Sequence, residues 1–271
     1  KNSIRKLKKK DGSWVENEKD MQQMATEFFR NLYKADDGVQ PNDILELLSS
    51  RVTADMNRAL TKEFTNEEIS NALFQISPLK APGADGFHAR FFQRNWELVQ
   101  EDAIQAVKEF FKSGIMPPGT NDTVICLIPK GSDPHGLKDY RPISLCNVLY
   151  KVVSKCLVNR LRPLLDEIIS ETQSAFIPGR MITDNATIAF ECFHKIQHSK
   201  NGSNTHYAYK MDLAKAYDRC DWRFLEGAMH KLGFCQTWIG WIMSCVKSVS
   251  YAVKWNGQLL EYFIPTRGLR Q

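Results

Sequence analysis

Asn256-Gly257 lies between two runs, SYAVKW (250–255) and QLLEYFI (258–264), and no other feature constrains the fold as tightly. A two-residue hairpin turn needs backbone conformations that Asn and Gly tolerate, so this dipeptide between apolar-rich runs specifies an antiparallel hairpin. Much of the remaining chain repeats at helical spacing instead. Met21, Met24, Phe28 and Leu32 form one amphipathic stripe within an otherwise polar lead-in, residues 1–60. Thr65-x-x-Glu68 is a capping box that opens a helix carrying Ile69, Leu73 and Ile76. SPLKAPGADG (77–86) is a loop. A long helix then runs from about His88 to Ser113, stopped by Gly114 and Pro117-Pro118.

TVICLI (123–128) reads as a short buried strand, and Pro129 to Pro142 as a basic loop. Residues 147–169 form a helix with Leu149, Val153, Cys156 and Leu157 on one face, which Pro163 should kink or break. Further helices are expected over 184–198, 221–232 and 236–247. Between them the period changes: in 206–212, Tyr207, Tyr209 and Met211 alternate with Ala208, Lys210 and Asp212, the signature of a strand. Helices mixed with an antiparallel hairpin predict an α+β fold rather than a doubly wound parallel sheet.

Composition excludes several classes. No apolar run approaches the ~18 residues of a membrane span. The seven cysteines include no C-x-x-C pair, and no secretory signal precedes them. They read as buried thiols of an intracellular protein, nuclear or cytoplasmic. Net charge is +5, and six of the first ten residues are Lys or Arg. This surplus suits an anionic partner, and a solvated basic tail suits it equally. His194 and His198, four apart on a helix, read as a solvated face, and Trp238, Trp241 and Ile242 as core.

The segment that carries chemistry is Tyr209-Lys210-Met211-Asp212-Leu213-Ala214-Lys215-Ala216-Tyr217-Asp218. A strand that ends in a carboxylate can hold a metal at a sheet edge, and phosphoryl transfer uses hard oxygen ligands for Mg²⁺. Asp218 and Asp221 precede a helix, where a cap or turn role accounts for both. Asp212 interrupts an apolar strand and is not explained that way.

This segment resembles the first palm motif of reverse transcriptases, and the flanking motifs follow in the same order. LKAPGADGF (79–87) resembles a signature of LINE-like, non-LTR retrotransposon enzymes. Residues 127–161, LIPKGSDPHGLKDYRPISLCNVLYKVVSKCLVNRL, resemble their fingers motif, and QSAFIPGRMITDN (173–185) the motif after it. RGLRQ (267–271) resembles the start of the next palm motif. The wording is that common among plant elements and covers roughly residues 60–271.

The resemblance implies a right-hand polymerase, with helical fingers over 61–200 and a partial palm with an incomplete sheet over 201–271. It implies RNA-directed DNA synthesis on an RNA template from a DNA primer, typically nicked target DNA, with dNTPs and Mg²⁺. It further implies roles for individual residues. Asp212 binds metal, assisted by the Leu213 carbonyl, and Tyr217 is the steric gate against ribonucleotides. Arg141 and Gln271 face the incoming nucleotide, Lys130 and Lys151 either join that pocket or are ordinary surface charges, and Gly179 and Arg180 seat the template. The family's (F/Y)-A-D-D motif has no counterpart here. Ala35-Asp36-Asp37 lies too early and follows no buried strand. Both ends therefore read as cuts in a longer chain, and these 271 residues alone are expected to be inactive. A non-catalytic nucleic-acid-binding remnant and a group II intron-like maturase remain as alternatives; the APGADG and YRPISL wording favours the LINE-like branch.

Overall fold

The computed structural model describes residues 3–9, 11–36, 38, 42–198 and 207–270. In chain order the elements begin with β1 (Leu7–Lys8), β2 (Trp14–Val15), α1 (Glu18–Leu32), α2 (Asn42–Leu45), α3 (Ala54–Thr61) and α4 (Asn66–Phe74). They continue with α5 (Ala89–Arg94), α6 (Trp96–Ser113), β3 (Asp122–Pro129), β4 (Tyr140–Cys146), α7 (Val148–Leu161), α8 (Leu165–Ile168) and α9 (Ile182–His198). The last are α10 (Trp222–Leu232), α11 (Gln236–Lys247), β5 (Ser250–Trp255) and β6 (Gln258–Leu259). The fold is α+β, as the sequence predicts. No helix among the described residues is long and apolar enough to cross a membrane.

Local chemistry sets most boundaries. Asn17 caps α1 by accepting from the amides of Lys19 and Asp20, which satisfies donors that have no partner inside the helix. Thr65 and Glu68 form the expected box, with Glu68 N donating to Thr65 Oγ1 at 3.1 Å and Thr65 N to Glu68 Oε2 at 2.8 Å. Gly114 closes α6 in the left-handed conformation, φ +70. At Pro163 the helix from 148 breaks into a 3-10 turn and the short α8. The helix expected over 88–113 is instead two, parted at Asn95 (φ −106, ψ 23), whose side-chain amide donates to Phe91 O. Asn competes in this way with the backbone ladder.

A four-stranded sheet has the order β4-β3-β5-β6. The hairpin forms as predicted, with positive φ at both Asn256 and Gly257. The expected 129–142 loop is shorter, because YRPISLC (140–146) pairs antiparallel with β3 from Thr123↔Cys146 to Pro129↔Tyr140. Pro142 hid this strand. A proline cannot donate to a central ladder, but β4 lies at the sheet edge, where it is tolerated. β3 also pairs parallel with β5, Asp122↔Ser250 onward, so one sheet joins segments 61–200 and 201–271.

The polar lead-in carries more than one helix. Its α1 lays Phe29, Leu32 and Tyr33 on Ile125, Tyr251, Val253 and Phe263 of the sheet side. The β1–β2 hairpin docks through Lys8 N to His135 O, and Asn256 Oδ1 accepts from Ile4 N. On the other side, helices α3, α4, α6, α7, α10 and α11 share a core that includes Trp238 and Trp241, as expected of those tryptophans.

Arg160 ties three of these pieces. It grips Glu68 with two bonds of 2.9 and 3.0 Å and donates to the carbonyls of Leu60, Lys62 and Glu63, with its guanidinium 3.3 Å from the Phe64 ring centroid. Its side chain is 10% exposed. Arg160→Met should cost about 3 kcal/mol, since several acceptors lose their only charged donor. Arg58→Met, at an exposed pair, should cost under about 1 kcal/mol. Urea midpoints check this, and equal costs would contradict it. The hydrogen bonds of Arg160 hold the Glu68 carboxyl below its ordinary range. That stabilisation is present above the ordinary carboxylate pKa and is lost as pH falls through the lowered one.

Candidate nucleotide-binding site

Over 207–212, the described part of the expected 206–212 strand, no strand forms. His206 lies outside the described residues, and 207–213 is irregular, with Tyr207, Tyr209, Met211 and Leu213 between 76% and 88% exposed. Alternation reports that a segment suits a pleated surface, but pairing needs a neighbouring strand; no strand among the described residues pairs with this segment. Asp212 is exposed on this segment rather than at a sheet edge. Lys215 then takes a positive φ of +57 and turns the chain into a 3-10 turn, Tyr217–Arg219.

That turn is the centre of the site. Tyr217 is 43% exposed and meets Phe176 edge-on, with ring centroids 6.4 Å apart, so QSAFIPGR is brought to this aromatic. The backbone of the turn holds the RGLRQ segment: Leu269 N donates to Tyr217 O and Gly268 N to Cys220 O, both at 2.7 Å, and Trp222 Nε1 donates to Gly268 O. Gln271 lies outside the described residues. Its neighbour Arg270 reaches inward. It lies 3.7 Å from the Tyr150 ring centroid and donates to Asn121 Oδ1, Thr123 Oγ1 and Cys245 O.

Asp218 is not a helix cap. It is 2% exposed and accepts from Tyr33 Oη at 3.0 Å. Burial pushes its carboxyl up, while the bond from Tyr33 and the charges of Lys215, Arg219 and Lys130 pull it back. Burial also pushes Lys215 down, helped by Lys130, Arg219 and Lys138. Positive charge from the β3 end therefore reaches the 215–219 turn. Asp221 is the expected cap of α10, accepting from Arg223 N at 2.7 Å.

Lys130 is exposed at the end of β3, its backbone N–H donating to Asp139 O, and Arg141 is exposed on β4 opposite Ile128. Both basic groups thus project from one end of the β3–β4 ladder. Lys151 Nζ gives one of its three donors to Ala81 O at 2.9 Å and ties the 79–87 loop to α7. Asn147 adds a bond from Asp85 N, and Gly83 is packed so closely that a Cβ would lie 2.3 Å from Asn147 N.

Arg180 departs from its expected template role. Its donors go to Asp166 Oδ1 and to the carbonyls of Ser170, Gln173, Ile169 and Asp166, closing the end of α8, and its side chain is 14% exposed. A guanidinium bonded on every N–H has none left for phosphate. Gly179 takes a φ of +79, which favours glycine, and a Cβ there would meet no protein atom within 4 Å, so the space beside it is open.

Asp212 and the Leu213 carbonyl are hard oxygen donors of the kind a divalent cation takes. One carboxylate is only part of a metal site, however, and the described residues hold no group of three or more His, Cys, Asp or Glu that could bind a metal. His194 and His198 stack 4.1 Å apart on an exposed face. Asp36, from the Ala-Asp-Asp stretch, pairs with Arg267 at 2.8 Å, and Asp37 lies outside the described residues. Tyr33 and Arg270 were not singled out in the sequence. Arg270 lies inside a quoted motif and could have been; nothing local marks Tyr33.

Three comparisons bear on this geometry. The chain is 31% identical over 263 residues to the Transposon TX1 uncharacterized 149 kDa protein of Xenopus laevis, covering 96% of this chain and 20% of that one. It is 22% identical over 197 residues to the retrovirus-related Pol polyprotein from type-2 retrotransposable element R2DM of Drosophila melanogaster, covering 73% of this chain and 18% of that one. It is 26% identical over 173 residues to the Pol polyprotein from type-1 retrotransposable element R1 of Bradysia coprophila, covering 61% and 16%. The chain thus spans about a fifth or less of the length of these relatives. Residues 128–271, more than half of the chain, match the family described as reverse transcriptase (RNA-dependent DNA polymerase). That span includes the Tyr217 turn, the segment bound to it and the basic end of the β3–β4 ladder, and the chain belongs to the reverse transcriptase family.

Proposed function

We propose that the chain is the reverse transcriptase portion of a LINE-like, non-LTR retrotransposon protein, an intracellular enzyme that copies element RNA into DNA from a primer 3′-hydroxyl. The observation that carries this reading is the 2.7 Å backbone bonding of the Tyr217 turn to Gly268 and Leu269, beside the positive charge of Lys130, Lys215 and Arg219. A flat aromatic face next to cationic groups suits a deoxynucleoside triphosphate. Residues 61–200 would act as fingers and 201–271 as the start of the palm, bridged by their common sheet.

In this reading Arg141 and Lys130 attract the triphosphate and Gln271 lies beside the nucleotide. Lys151 acts indirectly, through the 79–87 loop. Tyr217 covers the sugar at C2′. The family generally uses divalent metals; Mg²⁺, held in part by Asp212 and the Leu213 carbonyl, would neutralise charge on the transferring phosphoryl group. The primer 3′-oxygen bonds to the α-phosphorus as the bond to the bridging oxygen breaks, and pyrophosphate leaves. RNA template and primer DNA contact the basic surface, with Gly179 and Arg180 shaping the turn near the template.

The test is primer extension by the full-length protein on primed RNA with dNTPs and Mg²⁺; absence of template-dependent products would overturn the reading. Tyr217→Ala should then narrow the preference for dNTPs over rNTPs by roughly 10–200-fold, the worth of one steric contact in a pocket. An unchanged ratio of kcat/KM values, with activity retained, would show that Tyr217 is not the gate.

A further inference from the structure

We infer that Tyr33, at the end of α1 and outside the family-matched span, is a positioning residue that sets the nucleotide-facing geometry of both the Tyr217 turn and the 266–270 segment. The inference rests on the polymerase reading. Tyr33 is 1% exposed and Asp218, next to Tyr217, is 2% exposed; the phenol donates to the carboxylate at 3.0 Å. Its backbone carbonyl accepts from Thr266 N at 2.9 Å and Arg267 N at 3.1 Å. The preceding residue, Leu32, accepts from Arg267 Nε, and Ala35 N donates to Thr266 Oγ1. Its ring lies against Tyr251 and beside Gly268, where a Cβ would approach ring carbons at 2.7 and 3.0 Å.

One residue therefore touches both segments that face the nucleotide, one through its side chain and the other through its carbonyl. The phenol makes the one side-chain hydrogen bond to the Asp218 carboxyl among the described residues, and so fixes its orientation. Burial pushes the Tyr33 phenol far above its ordinary pKa, so it remains a donor at every working pH. The clamp closes across 185 residues of sequence. It makes α1 part of how the Tyr217 turn is held.

The experiment uses Tyr33→Phe in the full-length protein, because phenylalanine keeps the ring and removes only the hydroxyl. The expected result is a KM for dNTP raised about threefold or more, a smaller change in kcat, and a reduced preference for dNTPs over rNTPs. Amide hydrogen exchange in 217–220 and 266–270 should quicken about tenfold, with the rest of the chain unchanged. Asp218→Asn keeps an acceptor for the phenol and should be milder than Asp218→Ala. A folded Tyr33→Phe protein with unchanged KM, ratio and exchange overturns the inference. So does a loss of kcat alone, which would mean only fewer active molecules. If the unmodified protein does not extend primed RNA, the polymerase reading fails and the inference fails with it, whereas quickened exchange in Tyr33→Phe would still establish the clamp itself.

Discussion

Asp212→Asn in the full-length protein should lower primer extension by about a thousandfold or more while leaving the fold intact. A charged oxygen ligand to a divalent ion contributes several kcal/mol to stabilising a transferring phosphoryl group, and each 1.4 kcal/mol is about tenfold in rate. Asparagine keeps the shape and one oxygen but loses the charge. Asp212 is exposed on an irregular segment, so the substitution disturbs no buried contact. Extension assays beside circular dichroism and thermal melts make the comparison. Extension near that of the unmodified protein would remove Asp212 from the site. Loss of extension accompanied by loss of fold would show that it is structural.

Gly268→Ala should strongly destabilise the fold beside the site. A methyl group there would lie 2.5 Å from the Asp218 carbonyl oxygen and 2.7 Å from the Tyr33 ring, on a backbone with φ +89. Overpacking costs about 1–3 kcal/mol, and the left-handed backbone adds about 1–2 kcal/mol for a residue with a Cβ. Neither neighbour yields cheaply, since one is backbone and the other a fully buried ring. Gly257 has a similar φ, +94, but open space around its Cβ position. Gly257→Ala should therefore cost only the backbone part. Urea midpoints of the two variants separate steric from conformational cost, and equal costs would contradict the close packing of the 267–269 loop on the turn.

Features whose physics is local were legible in the sequence. The Thr65–Glu68 box, the stop at Gly114, the break at Pro163 and the Asn256-Gly257 hairpin each depend on a side chain and backbone atoms only a few residues away. Any chain carrying those residues meets the same constraint. The Asp221 cap belongs with them. The motif order that resembles reverse transcriptases was also legible, because it is a property of residue identity alone.

The tertiary structure decided what depends on distant partners. The segment over 140–146 became a strand because β3 was there to pair with it and the edge tolerated Pro142. The run 207–213 has an equally good alternation and found no partner among the described residues. Arg180 carries the right charge for an anionic ligand, but the Asp166 carboxylate and carbonyls brought in by folding took its donors first, whereas Lys151 gives one of its three donors to Ala81 O. Asp218 read as a cap or turn residue; it lies in the turn, and only the closed fold made it a buried acceptor for Tyr33, 185 residues away. Local signals fix φ, ψ and capping within a turn or two. Burial and the assignment of long-range donors to acceptors are settled only when the whole core closes, because the free energy of a polar group depends on whether water or another group reaches it first.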